Sequence, residues 1–346
     1  MRSAKIKLTA RCNLRCQMCR FGRGWAPPEL SEERFARIVD ELAALGCQKI
    51  HFSGGEVTVR PDLERLVARG SALGMKMTLT SNLTLLGRER IKALVRAKPS
   101  SVSTSLDGAR AKVHDRIRGI EGSFARTVHA LGRLAAESTR RGRRLRLRVN
   151  FTLMRDNFRE YPALVALGAR LGVTEIHPMP VDDGDEASPF RLRARDIRAY
   201  NAEVAPRVLE ERLRAGFGIE PRQIYPFGLS RGELRESALG NYAGGFYQSA
   251  QCYSPWLHLF VAWDGKAYLC CMTDGKLEPL GELATQSVAE VFQGERFARI
   301  RASMQRERLP ECHRCDMVLE ENRQLGAALR RLPVLQASTS RAASSA

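Results

Sequence analysis

The strongest constraint on the fold is an alternation that runs through the first half of the chain. Short apolar or β-branched runs are each followed by a stretch with helical spacing. The runs cover 5–9, 49–52, 76–80, 101–106, 145–152 and 175–178. Ser31 is a good N-cap, and Phe35, Ile38, Val39, Leu42 and Leu45 then recur at i, i+3, i+4 and i+7 spacing before Gly46 closes the helix. Similar patterns follow Pro61 and cover 88–98, 123–140 and 161–171. Strands that alternate with helices pair in parallel, with the helices as crossovers on the outside. The expected class is α/β, with functional groups at the C-terminal strand ends.

Three thiols follow the first run. Cys12, Cys16 and Cys19 have the spacing C-x3-C-x2-C. Three thiolates on one loop can hold three irons of a cubane [4Fe–4S] cluster, leaving the fourth iron open to a substrate or cofactor. The plainer alternative is zinc, but structural zinc sites take four ligands and no His lies near the triad. The second run ends in Ser53-Gly54-Gly55-Glu56. Two glycines let a ligand approach the backbone closely, and the carboxylate beside them can accept hydrogen bonds from an amine. The fourth run ends in Ser105-Leu106-Asp107-Gly108, and Asn150 is a polar residue among apolar neighbours in the fifth.

Together these motifs resemble the signature of the radical S-adenosylmethionine (SAM) superfamily. The resemblance sharpens the fold to a partial (β/α)6 barrel. It implies that Cys12, Cys16 and Cys19 ligate a [4Fe–4S] cluster whose open iron chelates SAM. Reductive cleavage of SAM then gives a 5′-deoxyadenosyl radical, which abstracts a hydrogen atom from the substrate. Gly54, Gly55 and Glu56 become the cofactor-binding GGE motif that meets the SAM ammonium, Ser105 faces the SAM ribose, and Asn150 faces the same cofactor. Met18 stands where relatives often carry an aromatic residue; an adaptable apolar side chain there can pack on adenine. An external reductant such as flavodoxin or ferredoxin is implied as a partner.

The chain has nine cysteines. Without a signal sequence, disulfides are disfavoured and metal ligation favoured. Cys47 stands alone and reads as a small buried hydrophobe. Residues 256–263, Asp264-Gly265 and 266–270 read as a β-hairpin with an Asp-Gly turn, followed by a helix over 287–305. The pattern C-x12-G-x4-C, gap, C-x2-C runs from Cys252 through Gly265 and Cys270 to Cys312 and Cys315. It resembles the twitch domain, the half-size form of the SPASM domain. The resemblance implies one auxiliary [4Fe–4S] cluster ligated by Cys252, Cys270, Cys312 and Cys315 in a small α+β domain. From spacing alone, four thiolates can equally bind zinc. Cys271 has three readings: a ligand by a one-residue slip, an inert core residue, or the hydrogen donor of a radical epimerase. A strand neighbour of a ligand points its side chain the other way.

Four regions are expected: 1–181, the barrel; 182–250, an insertion that caps the barrel mouth and supplies substrate contacts; 251–336, the auxiliary-cluster domain; and 337–346, a disordered Ser/Ala/Arg-rich tail. The insertion opens on an acidic loop, reads as helix over 194–214 and then becomes rich in Gly, Tyr and Phe.

Net charge is +18, which attracts anions. Recognised nucleic-acid modules and aromatic interleaving are lacking, so a nucleic-acid partner is not expected. No run approaches the ~20 apolar residues needed to cross a bilayer. A cytoplasmic protein without membrane partners is expected. An N-terminal segment for peptide recognition is not expected. That favours a small, possibly anionic, polar substrate, such as a sugar or aminocyclitol in natural-product biosynthesis. The Ser344-Ser345-Ala346 end counts against a molybdopterin-type cyclase, which usually ends in Gly-Gly. The expected activity is a radical SAM oxidoreductase of dehydrogenase type, with net oxidation through the auxiliary cluster. The alternatives are a radical epimerase, a ribosomal-peptide-modifying enzyme and, from another class, a non-catalytic metal-binding regulator.

Overall fold

The computed structural model describes residues 1–24, 27–182, 188–315 and 320–331. Most of the expected acidic loop and the expected tail at 337–346 lie outside the described residues. The first half alternates as its periodicity dictates: β1 (Ser3–Thr9), α1 (Glu32–Ala44), β2 (Lys49–Gly54), α2 (Leu63–Ala72), β3 (Lys76–Thr80), α3 (Arg88–Arg96), β4 (Ser101–Ser105), α4 (Ala111–Arg118), α5 (Ser123–Arg140), β5 (Arg146–Leu153), α6 (Tyr161–Arg170) and β6 (Glu175–Pro180). Ser31 caps α1 by accepting from the Arg34 N–H, and α1 buries Phe35, Ile38, Val39 and Leu42. Gly46 follows at φ 74°, a left-handed conformation that stops the helix. Helix α4 was not foreseen. Its sequence AKVHDRIR is short and mostly polar, so its apolar stripe is weak.

Strands β1 to β6 pair in parallel, and the sheet order is β6-β5-β4-β3-β2-β1-β7-β8-β9. The outer face of this sheet is apolar. Ile6, Leu8, Ile50, Phe52, Met77, Leu79, Val149 and Phe151 are buried with the inward stripes of the helices in one core. The opposite face is polar. Lys5 lies opposite His51, and Lys7 opposite Ser53; Ser103 lies opposite Arg148, and Ser105 opposite Asn150. A partial barrel with a polar inner wall follows.

The second half continues the same structure. Helices α7 (Ala194–Ala199) and α8 (Ala205–Ala215) flank a π-helical segment, Tyr200–Val204. Helix α8 packs beside α6, so the helix expected over 194–214 joins the outer layer. Short helices α9 (Pro221–Ile224), α10 (Arg231–Ala238), α11 (Phe246–Ser249) and α12 (Ser254–Leu257) lead into β7 (His258–Val261), β8 (Lys266–Tyr268) and β9 (Gly281–Glu282). The expected hairpin forms, with Gly265 at φ 91° in its turn. Strand β7 pairs in parallel with β1. The α+β unit therefore extends the barrel's own sheet past β1.

Helices α13 (Val288–Phe292), α14 (Glu295–Arg306), α15 (Pro310–His313) and α16 (Glu320–Arg330) complete the order. The single helix expected over 287–305 is thus two, because Gly294 takes an extended conformation as the N-cap of α14. Among the described residues, no helix is long and apolar enough to cross a membrane.

Candidate functional site

The loop after β1 is stitched to its neighbours through backbone bonds. The Gly55 N–H donates to the Thr9 carbonyl at 2.8 Å and the Glu56 N–H to the Arg11 carbonyl at 2.9 Å. Farther along, the Arg15 N–H donates to the Arg118 carbonyl at 3.1 Å and the Gln17 N–H to that of Ile117 at 2.9 Å. Strand β2 thus fixes one end of the cysteine loop and the end of α4 fixes the other. Cys12, Cys16 and Cys19 are brought together here. Burial pushes the Cys12 thiol up to about 11, against the Leu14 N–H, with the sulfurs of Cys16 and Cys19 adding to the rise. Burial also raises the Cys16 thiol, while the Arg118 guanidinium opposes the rise. A metal would offset these raised values by stabilising the thiolates.

Gly54 and Gly55 serve this stitching. A Cβ on Gly54 would lie 2.3 Å from the Thr9 carbonyl oxygen, and one on Gly55 2.3 Å from that of Arg11. Glu56 is 1% exposed. Its carboxylate accepts from the Thr58 N–H at 2.9 Å, the Ser81 hydroxyl at 2.6 Å and the Asn82 N–H at 2.6 Å. The Thr58 hydroxyl donates as well. Three of these donors meet Oε1 and one meets Oε2, so Glu56 organises the loops around the site while Oε2 keeps room for a further donor. Ser105 and Asn150 are cross-strand neighbours, and Asn150 lies opposite His177 in turn. All three share the polar face. Met18 packs against the apolar group of Ile117, Met154 and Val181.

Asp107 and Arg118 are residues whose partnership the sequence did not reveal. Arg118 Nη2 lies 2.6 Å from Asp107 Oδ2, and Nη1 donates to Cys16 Sγ at 3.5 Å. Burial raises the Asp107 carboxyl, opposed chiefly by Arg118. Burial pulls the guanidinium toward neutrality, but Asp107 and the Cys16 and Cys19 sulfurs hold it above the ordinary arginine value.

His114 sits behind this pair and accepts the Asp107 N–H at Nδ1, 3.1 Å away. That bond requires a neutral ring, and burial takes the His114 pKa down to about 3. The unfolded chain therefore binds a proton near pH 6.5 that the folded chain refuses. Stability is full above that pH and falls below it, by about 1.4 kcal/mol per pH unit toward pH 4. His114→Asn keeps an acceptor and removes the titration. Urea midpoints from pH 6.5 to 4 should fall less steeply in this variant; equal slopes would refute the assignment.

The second group of thiols also converges. Cys252, Cys270, Cys312 and Cys315 line one apolar cavity of about 80 Å³, and Cys271 lies at its wall. Burial pushes the Cys270 thiol far up, and Cys271, Cys252 and Cys315 add to the rise. Cys270 is half-buried whereas Cys271 is exposed, so Cys271 is not a core residue. Both lie in the turn after β8, where strand alternation does not set their directions. Asn322 on α16 donates to Cys252 Sγ at 3.6 Å and is itself 4% exposed. It too was missed, because it lies beyond the cysteine pattern.

An ionic tie joins the two groups. Asp274, just past Cys270-Cys271, takes Arg20 at 3.0 Å and the Lys7 ammonium from inside β1. Lys7 also sits among the rings of Phe21, Phe260 and Trp263, 5.2, 5.3 and 5.6 Å from their centres. Beside this tie is an open cavity of about 580 Å³, lined by Arg20, Trp263, Lys266, Tyr268 and Asp274.

Both donor sets are made of thiols alone, the donor chemistry of iron–sulfur clusters. Among the described residues, no three His, Cys, Asp or Glu side chains are grouped as for a single metal ion. An apolar hollow lies among Cys252, Cys270, Cys312 and Cys315.

Comparison with known proteins agrees with this geometry. Residues 6–168 match the family described as the radical SAM superfamily. Residues 252–316 match the SPASM iron–sulfur cluster-binding domain. The AdoMet-dependent heme synthase of Methanosarcina barkeri is 34% identical over 191 residues, 53% of this chain and 53% of that protein. The PqqA peptide cyclase of Rhodopseudomonas palustris is 35% identical over 170 residues, 48% of this chain and 43% of that protein. The chain thus spans about half the length of these curated relatives. Among solved structures, Streptococcus suis SuiB bound to precursor peptide SuiA superimposes with a TM-score of 0.65 at 15% identity, covering 91% of this chain and 70% of that one. At that identity the likeness concerns the fold alone.

Proposed function

We propose that this chain, a radical SAM protein whose cofactors are SAM, a SAM-binding [4Fe–4S] cluster and an auxiliary iron–sulfur site, modifies a peptide made on the ribosome. The observation that carries the reading is the 35% identity to a peptide cyclase over 170 residues. A neighbour of the same fold binds its precursor peptide. The sugar- or aminocyclitol-like substrate expected from the sequence gives way to this reading. Dehydrogenase and epimerase outcomes have no support among these relatives, which are named as a cyclase and a heme synthase.

In this reading Cys12, Cys16 and Cys19 hold the SAM-binding cluster, and Cys252, Cys270, Cys312 and Cys315 hold the auxiliary one. When bound, SAM and its cluster supply hydrogen-atom abstraction at an unactivated C–H bond. The residues of the chain position and shield that event. Gly54 and Gly55 let β2 clamp the cysteine loop, Glu56 ties that clamp to the loop after β3, and Ser105 and Asn150 offer polar contacts on the inner wall. Cys271 is exposed and lines the same cavity as the auxiliary thiols, so it stays a candidate both for a ligand and for a hydrogen donor.

The test is anaerobic reconstitution followed by SAM, reductant and a candidate precursor peptide. We expect peptide-dependent 5′-deoxyadenosine and a mass change in the peptide. Cys16→Ala should bind roughly four fewer irons and make no 5′-deoxyadenosine. Turnover of a porphyrin instead of any peptide would shift the reading toward the heme synthase relatives. Zinc at both sites without SAM cleavage would restore the metal-binding regulator.

A further inference from the structure

We infer that Arg118, held in place by Asp107, sets the reduction potential of the cluster at Cys12, Cys16 and Cys19 through its hydrogen bond to the Cys16 sulfur. The inference rests on the reading that this triad holds a cluster, and it goes beyond that reading to the control of electron entry.

Four observations carry it. The bond to Cys16 Sγ, at 3.5 Å, comes from a side chain in a fully buried setting. Asp107 is 0% exposed and Arg118 9%. A buried ion pair is weak evidence for stability, because desolvation consumes much of its attraction. Such a pair calls for another role. Secondly, Arg118 Nε and Nη2 make no well-directed hydrogen bond. The ion contact to Asp107 holds Nη2, so the well-directed side-chain bond of Arg118 goes to sulfur.

Thirdly, the pair is itself anchored. Asp107 Oδ1 accepts the Thr152 N–H at 3.0 Å, and the Asp107 carbonyl accepts from Asn157 at 3.1 Å. The guanidinium cannot easily swing away from Cys16. Fourthly, the auxiliary site is built differently. There a neutral amide, that of Asn322, donates to the Cys252 sulfur. The charged donor on Cys16 and the amide donor on Cys252 are thus of different kinds.

Hydrogen bonds to the sulfurs and nearby charge are established controls of cluster potential. Reduction adds one electron from a one-electron donor such as a ferredoxin or flavodoxin. No bond forms or breaks and no proton moves; the added negative charge stays on the cluster and its sulfurs. A guanidinium already protonated beside Cys16 stabilises that charge more than it stabilises the oxidised form. Arg118 is therefore a positioning residue that makes the first cluster easier to reduce.

The test is an EPR-monitored redox titration of the full, anaerobically reconstituted chain. The first cluster is identified as the signal that changes on adding SAM, and the auxiliary cluster is the internal control. Arg118→Gln/Asp107→Asn removes both charges together and leaves no lone buried carboxylate. We expect its reduced-to-oxidised ratio at fixed potential to fall about tenfold, or 59 mV for one electron, with the auxiliary signal unmoved. Arg118→Lys keeps the charge and should fall less. A ratio within twofold of wild type, in a variant with its full iron content, overturns the inference.

A second measurement needs no variant. With [15N]arginine in the wild type, the reduced SAM-responsive signal should show nitrogen hyperfine coupling that changes with the isotope. No such coupling overturns the inference whether or not the variants assemble. A wild-type chain with no SAM-responsive cluster overturns the underlying reading instead, which is a distinct result.

Discussion

Arg212→Met is expected to cost about 4 kcal/mol of stability, read as a lower urea midpoint at unchanged slope. Arg212 is 1% exposed. Its guanidinium donates to the Gly218 carbonyl at 2.6 Å, the Tyr161 hydroxyl at 3.1 Å and the Ile176 carbonyl at 3.1 Å. Gln223 Oε1 accepts from it as well. Methionine fills much of the space but offers none of these acceptors a donor, and each buried acceptor left without one costs about 1 kcal/mol or more. Lysine has no planar fork and should recover less than half of the loss. A cost below about 1 kcal/mol for Arg212→Met would show that water replaces the guanidinium. Arg212 then would not be what fastens β6 and the 216–224 stretch to α6 and α8.

The second large effect is local to the first cysteine group. Gly55→Ala is expected to remove roughly half of the bound iron from the reconstituted chain while leaving the rest of the fold intact. The added methyl group would meet the Arg11 carbonyl oxygen at 2.3 Å and that of Ala10 at 2.7 Å. Both are backbone atoms, so the strain moves the chain leading into Cys12. Overpacking of this kind costs about 1–3 kcal/mol, less than global unfolding requires. Gly132→Ala is the control. Nothing lies within 4 Å of its added Cβ, and in the middle of α5 it should stabilise by about 0.5–1 kcal/mol. Equal iron in the two variants would rule out the clamp between β2 and the cysteine loop.

Much of this was legible because it is written locally. Ser31 and the Phe35, Ile38, Val39, Leu42 stripe specify α1 within a few turns, and the Asp264-Gly265 dipeptide specifies the hairpin turn. The cysteine spacings picked out the two groups of thiols that the fold brings together. Features that depend on remote partners were not legible. Arg118 and Cys16 are 102 residues apart, and Asn322 and Cys252 are 70 apart. Neither pairing has a periodicity to betray it. Glu56 was read as an acceptor for an amine, yet its donors at Ser81 and Asn82 come from the loop after β3, whose approach only the folded sheet determines. The pairing of β7 with β1 was hidden for the same reason: strand propensity says that a segment extends, not which edge it joins.

That pairing has a consequence for the two halves. Strands β1 and β7 are neighbours about 4.8 Å apart across a hydrogen-bonded ladder. The Cys12 loop leaves the end of β1, and the Cys270 turn leaves the hairpin built on β7. The two groups of thiols are thus spaced by one continuous ladder instead of a linker, and moving one group away from the other as a unit would break the pairing of β1 with β7.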